Sequence, residues 1–377
     1  MRDCERAAAR PDGERTGFDC SEAVTNNGKD VAGVAHGAKV QPVRVLGHGG
    51  GSMSDIIDAI VWASGGSVDG VPDNGTPAEV INMSLGGAFA CNQSPAMQEA
   101  IDDAVGRGVV VVVAAGNSDA NASGHSPASC AGVIAVGASG ADGARSSFSN
   151  YGPAVTLSAP GGTPSSSDPD LRWIHSLGNS GMQAPEPSPA GDIVVGSMGT
   201  SMSSPHMAGI VALMQSAAVA AGRPALTPAQ VKTVLRKTAR PFPIPPPTSK
   251  PQGAGIADAE SAVLAALEDI PDDQGELLSN RIPVAGQTGG TGEGRLFQIV
   301  VPAGATSLNL RTYGGSGDVS LYVARDRAPT QMDYDSKSSK PGNSEAVVIT
   351  NAAAGTYFLL VHGESAFADV SVLGIIR

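Results

Sequence analysis

Between residues 38 and 139, apolar runs of strand length alternate with stretches whose apolar residues recur at helical spacing. "AKVQPVRVL" (38–46), "AEVINMSL" (78–85), "VVVVVAAG" (109–116) and "GVIAVGAS" (132–139) read as strands. Their apolar character is nearly continuous, which predicts strands covered on both faces. Between them, "SDIIDAIVWAS" (54–64) places Ile56, Ile57, Ile60 and Val61 on one helical face behind Ser54 as N-cap. "SPAMQEAIDDAVGRG" (94–108) reads as a second helix, closed by Gly108. Strands and helices in alternation predict an α/β domain built on a parallel sheet flanked by helices.

Further along, a Gly-, Pro- and Ser-rich stretch (160–198) precedes an apolar helical pattern that begins near Ser201. "LTPAQVKTVLRKTAR" (226–240) carries a capping box of Thr227 and Gln230, with Pro228 at the first helical position. After "GIADAESAVLAAL" (255–267) the chain turns acidic and then Gly/Thr-rich over residues 269–294, the composition of a linker. Residues 295–377 hold six short alternating strands divided by Gly, Asp, Asn and Pro, the pattern of a small antiparallel β-sandwich. The expected organisation is a charged segment (1–22), a first domain (23–268), a linker (269–294) and an all-β domain (295–377).

Composition narrows the function classes. The formal charge is −12 and the 24 Lys and Arg do not cluster, which argues against a phosphate-backbone partner. The longest apolar run, residues 109–115, is far short of a membrane span. Cys4, Cys20, Cys91 and Cys130 show no C-x-x-C spacing, which disfavours zinc and allows two disulfides. Residues 1–22 are densely charged and do not have the form of a signal peptide.

Candidate chemistry sits in "GSMGTSMSSPHMAG" (196–209). A serine at a helix start faces free N–H groups and the positive end of the helix dipole, where an anion forming at its oxygen is stabilised. Ser201 is therefore a candidate nucleophile, with Gly199 allowing close approach and Pro205 suited to the first turn. "VVVVVAAGNS" ends a buried strand in Gly116-Asn117, at the sheet edge where open α/β sheets bind ligands. Asn117 there is a candidate oxyanion donor. "NMSLGG" (82–87) offers Ser84, Leu85 and Gly86 as an edge for an extended peptide.

Together "GTSMSSPHMAG", "AAGN", "INMSLGG" and "GAKVQPVRVLG" resemble the subtilisin-like serine proteases, in particular their secreted bacterial branch. The resemblance implies a subtilisin-like sheet, Ser201 as nucleophile and Asn117 as side-chain oxyanion donor. It implies that Ser84, Leu85 and Gly86, with Ala114, Ala115 and Gly116, flank the pocket for the substrate residue before the cut. It further implies a Cys91–Cys130 disulfide, calcium as a family cofactor, an extracellular monomer and a protein or peptide substrate. The tail resembles the bacterial pre-peptidase C-terminal domain in "VPAGATSLNLRTYGGSGDVSLYV" and "NAAAGTYFLLVHG".

The resemblance is incomplete at one end. The D-[ST]-G and H-G-T-H-V-A-G sequences that carry the family's acid and base do not occur in the 377 residues. None of His36, His48, His125, His175, His206 and His362 matches the base position, and His206 falls at a structural position of the serine helix. The expected fold therefore lacks the first strand and the histidine helix, and residues 1–22 read as a truncated or shifted start. Two functions follow as expectations: a serine endopeptidase missing its activating pair, or a non-catalytic peptide-binding relative.

Overall fold

A computed structural model describes residues 28, 31–47, 49–164, 173–182, 184–268 and 275–377. The charged segment 1–22, with Cys4 and Cys20, and His48 lie outside them. Ser52 opens α1 (Met53–Ala63), the first helix among the described residues, its hydroxyl accepting the Asp55 amide at 3.1 Å. The cap thus falls two residues before Ser54. Ser52 has the extended backbone that an N-cap needs, while Ser54 lies within the first turn and its hydroxyl meets that of Ser52 at 2.8 Å.

β1 (Val80–Met83), α2 (Pro95–Gly106), β2 (Val110–Ala114), β3 (Ile134–Ser139) and β4 (Leu157–Pro160) follow. The four strands form one sheet in the order β1-β2-β3-β4, with every neighbouring pair parallel. The valines of β2 serve both faces. Val110 and Val112 pack into the core shared with Ile134, Leu157 and later helices, while Val111 and Val113 pack with Ile60, Met97 and Ile101 of α1 and α2. A strand buried on both sides needs apolar residues at every position, which explains the unbroken run.

Residues 38–46, expected as a strand, form none. Val43 and Leu46 are 38% and 46% exposed. A strand exists through the backbone bonds it exchanges with a neighbour, and among the described residues β1 has only β2 beside it.

The 160–198 stretch contains an antiparallel pair, β5 (Ile174–Asn179) and β6 (Asp192–Ser197). α3 (Thr200–Ala220), α4 (Pro228–Thr238) and α5 (Ala259–Ala265) complete this part. Met207, Ile210, Val211 and Met214 of α3 lie in the same core as Val231, Val234 and Leu235 of α4. The capping box on α4 is present as read, with Thr227 Oγ1 accepting the Gln230 amide and Gln230 Oε1 accepting that of Thr227.

The chain divides into two compact units, Met1–Ile270 and Pro271–Arg377. The second unit contains β7 (Glu276–Leu277), β8 (Val284–Gly289), β9 (Gly294–Val301), β10 (Ser307–Tyr313) and β11 (Val319–Arg325). β12 (Ser336–Ser338), β13 (Ala346–Thr350), β14 (Gly355–Gly363) and β15 (Phe367–Ile376) follow. They form two sheets, in the orders β13-β10-β15-β8 and β12-β11-β14-β9-β7. All six strands read from the sequence are there. The segment 269–294, read as a linker, contributes β8, which pairs with β15 through two register shifts. The sequence of β8, with two glycines among six residues and a single large apolar side chain, carries little hydrophobic signal.

Candidate active site

The carboxyl ends of β1 and β2 meet the amino end of α3. Ser201 is the second residue of α3 and not its cap, and Pro205 lies inside the helix and not in its first turn. Proline has no N–H to give to the carbonyl four residues back, which is that of Ser201. The carbonyl takes the Ser84 hydroxyl instead, at 2.8 Å. In return Ser201 Oγ donates to the Ser84 carbonyl at 3.2 Å. Beyond this pair, Asn82 Nδ2 donates to Ser84 Oγ at 3.1 Å, and Ser204 Oγ donates to Asn82 Oδ1 at 2.6 Å. The end of β1 is thereby tied to the first turns of α3.

The end of β2 makes the second tie. Asn117 Oδ1 accepts both the Thr200 amide, at 2.8 Å, and the Thr200 hydroxyl, at 2.9 Å. Because the backbone amide can only donate, the side-chain oxygen of Asn117 is fixed toward Thr200 and Nδ2 is left as the outward donor. Gly116 N–H donates to Thr200 Oγ1 at 3.0 Å, closing the ring. A Cβ on Gly199 would stand 3.4 Å from Asn117 Nδ2. Glycine there leaves that face of the amide open.

Ala114 and Ala115 are 6% and 0% exposed, so the floor behind this amide is apolar and packed. Ser84 and Leu85 are half-buried and Gly86 is exposed. Gly87 bridges to Ser126 through paired backbone bonds of 2.8 and 3.0 Å. Cys91 and Cys130, a few residues beyond either partner of that bridge, form a disulfide with a Cα–Cα distance of 5.1 Å.

The sequence-level candidates Ser201, Asn117 and Ser84 thus stand together. Three of the described histidines are engaged elsewhere. His206 Nδ1 pairs with the Met202 carbonyl of its own helix at 2.7 Å, His125 lies beside the Asn121 carbonyl, and His362 bonds Gln331 in the second unit. Among the described residues, the partner of Ser201 Oγ is the Ser84 carbonyl and no histidine ring. The described residues hold no group of three or more His, Cys, Asp or Glu side chains able to take a metal ion.

Two residues past Asn117, the Asp119 carboxyl is held below the usual aspartate range by hydrogen bonds first from Lys250, at 2.6 Å, and then from Arg145. Both cations also stand 5.4 Å from the Tyr151 ring. Thr200, Asn82, Ser204 and the Ser84 hydroxyl were not legible as site residues in the sequence. Their roles depend on contacts across 83 to 122 residues of chain.

A parallel sheet with its polar groups converging at the carboxyl ends of two strands and a helix start is an α/β protein with its site at the sheet edge. Residues 20–277 match the Subtilase family and residues 293–363 the bacterial pre-peptidase C-terminal domain. The chain belongs to the subtilase family. It is 49% identical over 354 residues to an extracellular protease of Xanthomonas campestris pv. campestris, covering 93% of this chain and 57% of that protein. It is 46% identical over 248 residues to an extracellular basic protease of Dichelobacter nodosus, covering 66% of this chain and 38% of that one. The solved structure of a protease from Pseudoalteromonas arctica PAMC 21717 matches with 47% identity and a TM-score of 0.59, over 65% of this chain and 68% of that chain. The chain spans less than two thirds of the length of these two curated relatives.

Proposed function

We propose that the chain is part of an extracellular serine endopeptidase in which Ser201 attacks the scissile carbonyl of a protein or peptide. The observation that carries this reading is the fixed amide of Asn117. With Oδ1 bound by Thr200, Nδ2 is preorganised as a donor beside Ser201, and such a donor works because it needs no reorganisation when the oxyanion forms. The backbone of Ser84–Gly86 and that of Ala114–Gly116 form the two walls between which an extended substrate lies.

Attack forms the bond from Ser201 Oγ to the carbonyl carbon. The hydroxyl proton passes to a base, and the leaving amine departs with a proton from that base. A histidine oriented by an aspartate supplies this base in the family. The sequence holds neither of the motifs that carry them. The 377 residues alone are therefore expected to acylate at no more than the residual level of about 10³ to 10⁴ over water that oxyanion and binding effects provide.

A second reading, a peptide-binding protein without acyl transfer, is favoured by the Ser201 hydroxyl being engaged with the Ser84 carbonyl. A fluorophosphonate probe separates the two. The native gene product, captured with an antibody to this chain, is expected to be labelled rapidly and its Ser201→Ala variant not at all. A native product that binds extended peptides but resists labelling would establish the second reading instead.

A further inference from the structure

The loop that carries Asn117 is wrapped around one buried side chain. Asn150 is 0% exposed. Its Nδ2 donates to the Ala115 carbonyl at 2.8 Å, and its Oδ1 accepts the amides of Ser118 and Ala120, each at 3.0 Å. Its backbone N–H donates to the Gly116 carbonyl at 2.8 Å. The residues on either side complete the seam, with the Asp119 amide on the Phe148 carbonyl at 2.9 Å and the Tyr151 amide on the Ala120 carbonyl at 3.0 Å.

From Ala115 to Ala120, then, every residue except Asn117 gives a backbone group to residues 148–151. Asn117 is the one position whose amide side chain is turned outward to Thr200. Gly116 fits this wrapping, because its φ is +102° and a Cβ there would collide with Asn150 Nδ2. Behind Asn150, Gln252, 1% exposed, donates from Nε2 to the Asn150 carbonyl at 2.7 Å. All three hydrogen bonds of the Asn150 amide are thus committed to the loop.

We propose that Asn150 is a positioning residue for Asn117: its amide fixes the Ala115–Ala120 loop so that Asn117 Oδ1 meets Thr200 and Nδ2 faces the Ser201 hydroxyl's side of the site. The inference rests on the reading of Asn117 as the oxyanion donor. Asn150 itself touches no substrate. It acts through the loop, and removing it would leave Asn117 in place in the sequence but free to turn.

The Thr200 amide reports that turning directly. It is the first N–H of α3 and has no partner within the helix, so its protection from exchange depends on Asn117 Oδ1. The experiment is hydrogen exchange followed by NMR on the 377-residue chain, which requires no turnover. Two variants are compared with the wild type: Asn150→Ala, and the isosteric Asn150→Asp, which keeps acceptors for Ser118 and Ala120 but cannot donate to Ala115.

The Thr200 amide is expected to exchange at least about tenfold faster in both variants, while Ile210, Val211 and Met214 in the same helix stay within about twofold of wild type. Unchanged Thr200 exchange would overturn the proposal. So would equal acceleration at all four amides in both variants, which would make Asn150 a residue of general stability; Asn150→Asp decides where Asn150→Ala does not fold. Asn117→Ala tests the underlying reading separately. Undiminished fluorophosphonate labelling of that variant in the native product would remove the oxyanion role while leaving the Thr200 result, and with it the wrapping of the loop on Asn150, intact.

Discussion

Asp119 shows how the residues next to the site are held. Its carboxylate answers two cations, Lys250 and Arg145, from elements far apart in sequence, and its ionised form is favoured for that reason. A carboxyl with a depressed folded-state pKa contributes stability that is full above the unfolded value and is lost as pH falls through the folded value. The Asp119→Asn variant is therefore expected to melt at a lower temperature than wild type at pH 7. The gap should narrow once the pH drops below the ordinary aspartate value of 3.8. The carboxylate is 42% exposed, so solvent and salt screen the effect and the gap is expected to be small and to shrink further in high salt. Thermal melts across pH check this; a gap that widens in acid would show that the cations do not stabilise Asp119. At this scale the sequence offered Ser201, Asn117 and the Ser84–Gly86 edge as candidates, because each stands in a short local pattern, and the structure ties Ser201 to Ser84 and Asn117 to Thr200. It did not reveal Thr200 or Asn150, since a threonine before a serine and an asparagine in "SNYG" have ordinary local roles. Their importance arises from hydrogen bonds to chain 83 and about 30 residues away.

At the scale of elements, what was legible was whatever the hydrophobic period and cap chemistry determine. β2, β3, α2 and α4 lie where the valine runs, the helical spacing and the Thr227 box place them. The strand expected at 38–46 failed because a sequence can show strand character without supplying the neighbour that makes a strand. β8 was missed for the opposite reason, since its pairing with β15 supports a sequence with little apolar signal of its own. The disulfide couples elements that the sheet alone does not. It joins Cys91, just before α2, to Cys130, just before β3, and closes a loop of 39 residues that contains both α2 and β2. Cross-linking a loop of that size is expected to contribute about 2 to 4 kcal/mol, chiefly by restricting the unfolded chain. The Cys91→Ala, Cys130→Ala double variant is accordingly expected to lose that amount in urea unfolding. A midpoint unchanged from wild type would mean that the bond is absent from the folded protein in solution.

At the scale of the whole molecule, each of the two units has its own core, and the second is self-contained. Its buried cluster runs from Leu278 through Phe297, Ile299, Leu310, Leu321, Leu359 and Val372, and every member falls within Pro271–Arg377. All strand pairings of β7 to β15 are likewise internal. A unit above about 80 residues with a single closed core has enough buried surface to fold without staples. Residues 271–377 expressed alone are therefore expected to give a β-type circular dichroism spectrum and a single cooperative melt. The position of the boundary makes this a sharper test than folding alone. A fragment starting at residue 295, where the strong strand pattern begins, lacks β8 and Leu278. Without β8, β15 loses the partner of Phe367, Val370 and Val372 and becomes an open edge; without Leu278, which is 2% exposed, the core loses a buried side chain. Deleting a buried leucine and exposing a long strand edge are each destabilising, the first by about 2 to 5 kcal/mol. The shorter fragment is expected to melt well below the longer one or to aggregate, and equal melting of the two would show that residues 271–294 contribute nothing to the second core.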